Sequence, residues 1–258
     1  MTPESETAVY IYGILPGDVA FQEQPAGLGH PPAPVRLVPY RDIAALVSDV
    51  DQSAPLDSPD DLLVHQQLLD ASAAAVPVLP VAFGAVVADE DAVVTELLEP
   101  SYEEFSAALA ELDGFQEYIV RGRYVREAIL SEILTEDPEA AALSAQTFDG
   151  DPAASHDGQV HLRELISERL ADKRALDSRQ LGDALASQAS TSAVRAPADE
   201  LEAVHTAFLV KATDVDQMVE AARELAAGWA GRIELRIVGP VAAYDFVGTT
   251  GTSLGLGS

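Results

Sequence analysis

Several residue types that carry protein chemistry are missing or scarce in this chain of 258 residues. There is no cysteine, which excludes disulfide frameworks, thiol catalysis and cysteine-based metal sites. No apolar run approaches the roughly 18 residues that a membrane-spanning helix needs. The first seven residues are polar and acidic, unlike a secretory signal. The sequence therefore predicts a cytoplasmic protein that does not enter a membrane.

Positive charge is also scarce, because 15 basic side chains stand against 43 acidic ones and the net charge is −28. Only Lys173 and Lys211 are lysines. Such a field repels phosphate backbones, so we expect no nucleic-acid partner. The excess of alanine, and of arginine over lysine, favours a GC-rich coding bias over a salt-adapted proteome. Both explanations concern solubility more than function.

Motifs for catalysis and for metal binding are missing as well. His156 and His161 are five residues apart and His205 lies far away, which is not the spacing of a zinc site. The adjacent acids at 60–61 and 103–104 are expected in a chain with 43 acidic residues, and they indicate solvated faces. No serine lies in a G-x-S-x-G turn. We expect no catalytic residue, no metal site and no cofactor.

Strand and helix patterns alternate along the first half of the chain. Strands are predicted at 8–15, 35–39, 43–47, 77–87 and 115–120, where β-branched and aromatic residues lie between turn residues. Helices are predicted at 57–73, at 89–112 with a break at Pro100, and at 124–133, because apolar residues recur there at helical spacing. This interleaving predicts a ferredoxin-like α+β layer.

The second half repeats the pattern with fewer strands. A long helix or helix pair is predicted at 159–188, a loop at 187–199, strands at 207–210, 232–238 and 244–247, and a helix at 215–229. The predicted fold class is α+β with two domains. They are an N-terminal ferredoxin-like domain at 8–136, a linker at 137–158, a modified ferredoxin-like unit with long helices at 159–247, and a flexible tail at 248–258.

Three apolar segments carry proline and glycine at fixed places. They read AVYIYGI at 8–14, VPVLPVAFGAVV at 76–87 and RIELRIVGPVAAYDFV at 232–247. In order and spacing they resemble the gas vesicle protein family GvpF/GvpL, whose members read approximately YVYGI, VLPxxFG and GPxxxYxFV. The family's AFLV strand is matched at 207–210. Many members have an arginine where Ala82 stands, and an asparagine before AFLV where this chain has His205-Thr206.

We interpret the motif residues as structural, because each motif is apolar and is typical of strands and tight turns. They are Tyr12, Gly13, Pro80, Phe83, Gly84, Phe208, Gly239, Pro240, Tyr244 and Phe246. Gly239-Pro240 is predicted to form a turn before the last strand.

The resemblance implies a non-enzymatic role in assembling gas vesicles. It implies binding of the small hydrophobic shell protein GvpA, as a minor wall component or as an assembly chaperone, and contacts with other gas vesicle proteins. The implied location is the gas vesicle, and the cytoplasm during assembly. The N-terminal domain is the expected binding domain. The alternative is a small-ligand-binding regulatory module, since ferredoxin-like domains often bind metabolites.

The densest basic cluster consists of Arg121, Arg123 and Arg126, at the end of a predicted strand. Arginine binds carboxylates in a fixed geometry, so these residues are candidate partner contacts. The simpler interpretation is local pairing with acidic neighbours such as Glu117 and Glu127.

Overall fold

The chain folds as two compact units. Unit 1 consists of Met1–Glu117 and Gly239–Ser258, and unit 2 consists of Tyr118–Val238. The structure is a computed structural model that describes residues 7–20, 24–29, 31–53, 56, 58–148 and 154–247. The predicted tail at 248–258 and the predicted helix start at Asp57 lie outside these residues.

Unit 1 is built on an antiparallel sheet with the strand order β2-β3-β1-β4, in which β5 also pairs with β1. The strands are β1 (Thr7–Pro16), β2 (Arg36–Tyr40), β3 (Ile43–Asp51), β4 (Leu79–Pro80) and β5 (Val86–Val87). The helices are α1 (Pro59–Ala73), α2 (Glu90–Ala92), which continues into a π-helical segment (Val93–Leu98), and α3 (Tyr102–Leu112).

Strand β1 lies at the centre of unit 1 and is buried from Ala8 to Leu15. Helix α1 begins at the N-cap Ser58, which forms a capping box with Asp61 and is followed by proline. A bulge in β1 falls between Ile11 and Gly13. A Cβ atom on Gly13 would lie 2.8 Å from the carbonyl oxygen of Leu79, so only glycine allows β4 to approach so closely.

Unit 2 contains most of a second sheet, with the strand order β7-β8-β6-β9. Its elements are β6 (Phe115–Tyr124), α4 (Arg126–Glu136), α5 (Pro138–Phe148), α6 (Ala154–Leu185), β7 (Ala189–Val194), β8 (Glu202–Lys211), α7 (Val215–Gly228) and β9 (Ile233–Val241). Its core includes Val120, Phe208, Met218 and Trp229. The chain passes from unit 1 to unit 2 within β6 and returns within β9.

The predicted α+β fold with two ferredoxin-like domains is confirmed. In each unit the strand that follows the hairpin lies beside the first strand, which is the order of a β-α-β-β-α-β unit. In unit 1 the described residues between β1 and β2 contain no helix, whereas in unit 2 three helices, α4 to α6, lie between the first two strands. No helix among the described residues has the length and apolarity required to cross a bilayer.

Four sequence predictions of local structure are wrong. The predicted linker at 137–158 contains α5, which starts where Asp137 accepts hydrogen bonds from the N–H groups of Glu139 and Ala140. The predicted loop at 187–199 contains β7, whose small polar residues show no apolar alternation. The predicted strand at 77–87 is interrupted, leaving only β4 and β5. The predicted last strand at 244–247 is a turn closed by hydrogen bonds to the carbonyl of Ala243.

The compact units do not follow the predicted domain boundaries, since position 136 lies inside unit 2 and residues 239–247 belong to unit 1. The order of elements along the chain did not indicate that residues 239–247 return to unit 1. The assignment of a binding role to the N-terminal domain stays a prediction.

Candidate functional site

A buried histidine organises the polar interior of unit 1. His65 lies on α1 and is 1% exposed. Its Nδ1 is 2.9 Å from the hydroxyl oxygen of Tyr10, and its Nε2 is 3.1 Å from the hydroxyl oxygen of Tyr244. A neutral imidazole has one donor and one acceptor nitrogen, so it can join two hydroxyl groups without a formal charge. His65 therefore links α1 to strand β1 and to the C-terminal segment.

Aromatic rings surround this histidine. The His65 ring stacks on Tyr12 with centroids 5.7 Å apart, and it meets Phe83 edge-on at 5.5 Å. The Tyr10 and Tyr12 rings are 4.9 Å apart. The hydroxyl of Tyr12 is 2.8 Å from Ser48 Oγ and accepts a hydrogen bond from the N–H of Leu28. We call Tyr10, Tyr12, His65, Phe83 and Tyr244 the aromatic cluster.

The aromatic cluster brings together the three sequence motifs. Tyr12 comes from the first motif, Phe83 from the second and Tyr244 from the third. The N–H of Gly84, which has φ +94°, donates to Tyr10 over 3.0 Å. Gly13 pairs with Pro80 where β1 meets β4. Residues of all three motifs thus surround His65, which sequence reasoning placed on a helix without assigning it a role.

Backbone amides hold the C-terminal segment in unit 1. The N–H of Ala242 donates to Asp70 over 2.9 Å, and the N–H of Asp245 donates to Glu117 over 3.4 Å. Burial raises the pKa of Asp70, and the hydrogen bond from Ala242 partly offsets that rise. Together with Tyr244, these contacts fix residues 242–245 against α1 and the first residues of β6.

Burial keeps the titratable side chains of the aromatic cluster uncharged at neutral pH. Burial lowers the pKa of His65 to about 4. Burial also raises the pKa of Tyr10 far above its ordinary value and the pKa of Tyr244 to about 12. At neutral pH no member of the cluster is charged. The arrangement is suited to holding three chain segments together.

One side of this cluster reaches the surface. Tyr244 is 45% exposed, and Leu62 and Leu63 on α1 are 41% and 50% exposed. Both leucines lie within one turn of His65 along α1, and Leu63, two residues from His65, projects from a different face of the helix. We call Leu62, Leu63 and Tyr244 the α1 strip.

The predicted arginine cluster lies in unit 2, and two of its members have ionic partners. Arg121 pairs with Glu202, which is buried, and Arg123 lies 2.6 Å from Asp199. Both acids are distant in sequence from the arginines, whereas the sequence predicted the neighbouring Glu117 and Glu127 as pairing partners. Arg126 is exposed at the start of α4. A role of these three residues in partner binding stays a prediction.

A groove of about 450 Å³ runs past two of these arginines. Arg121, Arg123, Glu234, Arg236 and Val238 are among its lining residues. Burial raises the pKa of Glu202, but the N–H of Ala198 and the guanidinium of Arg121 outweigh that effect and leave its pKa lowered. Arg121 is thereby engaged in neutralising a buried carboxylate.

A second charged network ties α4 to α6 and to Arg232, the residue before β9. Arg232 bonds Glu132 at 2.6 Å and Asp177 at 2.9 Å. The Tyr124 hydroxyl donates to Asp177 over 2.6 Å, and Lys173 pairs with Glu132. Each buried charge in this network has an opposite charge or a hydrogen-bond donor beside it, as burial requires.

The other motif residues occupy structural positions. Phe208 is buried in β8 of unit 2, as the family's AFLV strand implies. Gly239 and Pro240 are joined by a cis peptide bond within β9, so the predicted turn there is wrong. Phe246 is half-buried in the final turn. Over the described ranges, no three histidine, aspartate or glutamate side chains are grouped so as to hold a metal ion.

Comparison with known proteins gives one consistent family. Residues 8–248 match the family described as gas vesicle synthesis protein GvpL/GvpF. Gas vesicle protein F of Streptomyces sp. (strain CB03234) is 32% identical over 247 residues, covering 93% of this chain and 99% of the relative. Gas vesicle protein F of Dolichospermum flosaquae is 22% identical over 240 residues, covering 92% and 96%.

Solved structures show the same fold. The crystal structure of GvpF from Anabaena sp. PCC7120 matches with a TM-score of 0.77 at 22% identity, covering 93% of this chain and 98% of that chain. GvpF from Microcystis aeruginosa matches with a TM-score of 0.72 at 18% identity and the same coverage. From the match along nearly the whole sequence and the Streptomyces relative at 32% identity, we conclude that this chain belongs to the gas vesicle GvpL/GvpF family.

Proposed function

We propose that this chain is a non-enzymatic gas vesicle assembly protein that binds the shell protein GvpA, as a minor wall component or as a chaperone. Family membership supports a role in gas vesicle formation. The observation that carries the contact proposal is the exposure of three large apolar side chains of unit 1, those of the α1 strip.

The α1 strip is suited to a hydrophobic partner. Exposed large apolar side chains are candidate contacts for an apolar partner, and a tyrosine offers both an apolar ring and a hydroxyl. His65 and its neighbours hold Tyr244 in a fixed position, so little side-chain entropy is lost on binding. Unit 1 also carries most of the net negative charge of the chain, which would keep a complex with a hydrophobic subunit in solution.

Strand addition is a second mode of contact that we propose within the same function. The edge strands of the unit 1 sheet are β2 on one side and the short β4 and β5 on the other. An extended segment of the shell subunit would add beside one of them by β-augmentation.

The alternative of a ligand-binding module has weaker support. A cleft of about 640 Å³ in unit 2 is lined by Glu132, Lys173, Asp177 and Arg232, but these groups bond one another. A metabolite would have to displace those bonds. A thermal-shift screen against metabolites tests this alternative directly.

The experiment for the main proposal is capture of co-expressed GvpA by the full-length chain. The test variant carries Leu62→Ser and Leu63→Ser, and the matched control carries Val160→Ser and Leu176→Ser on α6, which are also exposed apolar residues. We expect the wild type and the control to capture GvpA, and the α1 variant to lose most of that capture.

Two results would contradict the proposal in different ways. Equal capture by both variants would place the contact away from the α1 strip. No capture by a folded wild-type chain would exclude GvpA as a direct partner.

A further inference from the structure

The hydrogen bonds around His65 have one direction, which follows from the donors and acceptors beside it. The hydroxyl oxygen of Tyr10 accepts a hydrogen bond from the N–H of Gly84 over 3.0 Å and lies 2.9 Å from His65 Nδ1. An N–H group only donates, so Gly84 cannot receive the phenolic proton of Tyr10. Among the described residues, the acceptor bonded to this hydroxyl is His65 Nδ1.

Burial fixes the position of the proton on the His65 ring. Tyr10 is 0% exposed and His65 is 1% exposed, so bulk water does not supply another acceptor. A buried hydroxyl proton without an acceptor is costly, and the Tyr10 O–H therefore donates to Nδ1. Because the pKa of His65 is about 4, the ring is neutral at neutral pH and has one proton. That proton is on Nε2.

The chain of hydrogen bonds ends at Tyr244. With its proton on Nε2, His65 donates to the hydroxyl oxygen of Tyr244 over 3.1 Å. The hydroxyl proton of Tyr244 then points away from the imidazole. Within the described part of the chain this hydroxyl has no second hydrogen-bond partner, and Tyr244 is 45% exposed. The proton is therefore available to an acceptor on another molecule.

We propose that Tyr244 is a specificity-determining residue of the α1 strip, and that its hydroxyl donates a hydrogen bond to an uncharged carbonyl oxygen of the bound partner. This inference rests on the proposed binding of GvpA at the α1 strip. Leu62 lies three residues before His65, on the same side of α1, and is 41% exposed. The partner segment that fits combines an apolar surface with a free main-chain carbonyl.

Charge favours a carbonyl over a carboxylate as the acceptor. Unit 1 contains two basic and 22 acidic residues, a net charge of −20. Burial and the nearby charge of Asp70 raise the pKa of Tyr244 to about 12, so the phenol keeps its proton. A carboxylate of the partner would be repelled by Asp70 and by the unit as a whole, whereas a carbonyl carries no formal charge.

Tyr10 is the positioning residue of this arrangement. It is fully buried and does not reach a partner, but its hydroxyl determines which nitrogen of His65 carries the proton. In the opposite tautomer, Nε2 would accept the proton of Tyr244, and the exposed tyrosine would present only an acceptor. The direction set by Gly84 and Tyr10 therefore selects what Tyr244 can bind.

The first test is NMR of the histidine ring nitrogens in the full-length chain, which distinguishes a protonated nitrogen from a bare one. His65→Gln identifies the signals of His65 among the five histidines. At neutral pH we expect a protonated Nε2 and a bare Nδ1 in the wild type, and a mixture of both tautomers in Tyr10→Phe. A proton on Nδ1 in the wild type would overturn the proposal.

The second test is capture of co-expressed GvpA by Tyr244→Phe, which keeps the aromatic ring and removes the donor. The matched control is Tyr102→Phe, because the Tyr102 hydroxyl already donates to Asp42 over 2.6 Å. We expect Tyr244→Phe to retain about threefold to tenfold less GvpA than the wild type, the effect of one hydrogen bond. We expect Tyr102→Phe to retain the wild-type amount.

Hydrogen exchange separates a lost donor from a displaced segment. The amides of Ala242 and Asp245 bond Asp70 and Glu117, so their protection shows whether the segment stays in place in Tyr244→Phe. Wild-type capture by Tyr244→Phe would overturn the proposal. Failure of the folded wild type to capture GvpA would overturn the proposed function instead, and the His65 tautomer would still report the direction of the hydrogen bonds.

Tyr10→Phe gives the answer if the segment detaches in Tyr244→Phe. It keeps the Tyr244 hydroxyl and the amide bonds of the segment, and it changes only the direction of the hydrogen bonds through His65. We expect about twofold less capture together with the mixed tautomers. Mixed tautomers with wild-type capture would overturn the proposal.

Discussion

The two units share one strand order but stabilise their buried polar groups in different ways. The polar groups around His65 in unit 1 are phenols, an imidazole and a serine, all neutral, whereas unit 2 buries an ionic network around Arg232 and Asp177. The distribution of charge explains the difference. Unit 1 contains two of the 15 basic residues and 22 of the 43 acidic ones, a net charge of −20, whereas unit 2 contains 13 and 21, a net charge of −8.

With two arginines, unit 1 has few cations with which to neutralise a buried carboxylate. One of them, Arg36, already pairs with Asp49 and Glu90. The carboxylates of Asp61 and Asp70 instead accept hydrogen bonds from backbone amides. One fold can therefore bury either uncharged polar clusters or ion pairs, depending on the counter-charges that the sequence supplies.

The largest expected effect is the removal of a carboxylate from the ionic network. Asp177→Ala removes one of the two carboxylate partners of the Arg232 guanidinium and the acceptor of the Tyr124 hydroxyl, in a site where Asp177 is 3% exposed. We expect a loss of about 3–5 kcal/mol in the free energy of unfolding of unit 2. Urea unfolding followed by the fluorescence of Trp229, the one tryptophan of the chain, measures it.

The control for this prediction is Asp199→Ala, which breaks the exposed pair with Arg123. We expect it to cost no more than about 1 kcal/mol. Equal effects of the two substitutions would show that burial of the network contributes nothing to the stability of unit 2.

The uncharged aromatic cluster of unit 1 makes the stability of that unit depend on pH, and this effect is of intermediate size. The pKa of His65 is about 4 in the folded chain, against about 6.5 when exposed. Because the unfolded chain binds the proton more readily, the stability that His65 contributes at pH 7 is lost as the pH falls from 6.5 towards 4. The loss reaches about 3 kcal/mol.

The variant that isolates this effect is His65→Gln, whose amide has both a donor and an acceptor but does not titrate. Protection of β1 amides from hydrogen exchange reports on unit 1. We expect protection to fall less steeply with acid in the variant than in the wild type, while carboxylate titration affects both. Identical pH profiles would show that His65 is not held neutral.

The smallest predicted changes in stability come from replacing two glycines, Gly182 and Gly84, whose surroundings leave room for a Cβ atom. A Cβ atom on Gly182, inside α6, meets nothing within 4 Å, so Gly182→Ala should stabilise unit 2 by about 0.5–1 kcal/mol. In unit 1, Gly84 is equally open but has φ +94°, so Gly84→Ala should destabilise unit 1 by about 1–2 kcal/mol. Urea unfolding of both variants checks the opposite signs, and a shared sign would contradict the backbone argument.

Most elements were predicted from the sequence because their apolar residues repeat at clear periods. Strand β1, helix α1 and helix α7 are close to their predicted limits. Strand β7 was missed because its pairing with β8, and not its own composition, makes it a strand. Helix α5 was missed because an Ala-rich segment with scattered polar residues also resembles a linker, and its capping by Asp137 is a local contact.

The candidate site was predicted in part. The motif residues Tyr12, Phe83 and Tyr244 were identified, but as three unrelated structural positions. His65 gave no signal, since a single histidine on a helix has no characteristic spacing. The ionic partners of Arg121 and Arg123 lie some 80 residues away in sequence, and no local pattern selects them from 43 acids.

The sequence by itself determined the fold class, the family and the scarcity of positive charge, because periodicity, motif order and composition are local or summed properties. The tertiary structure alone decided that the three motifs meet at His65, that residues 239–247 return to unit 1, and that β7 forms an open edge. These are contacts between residues far apart along the chain. They depend on how the strands are ordered in space, and the order of elements along the chain does not specify that uniquely.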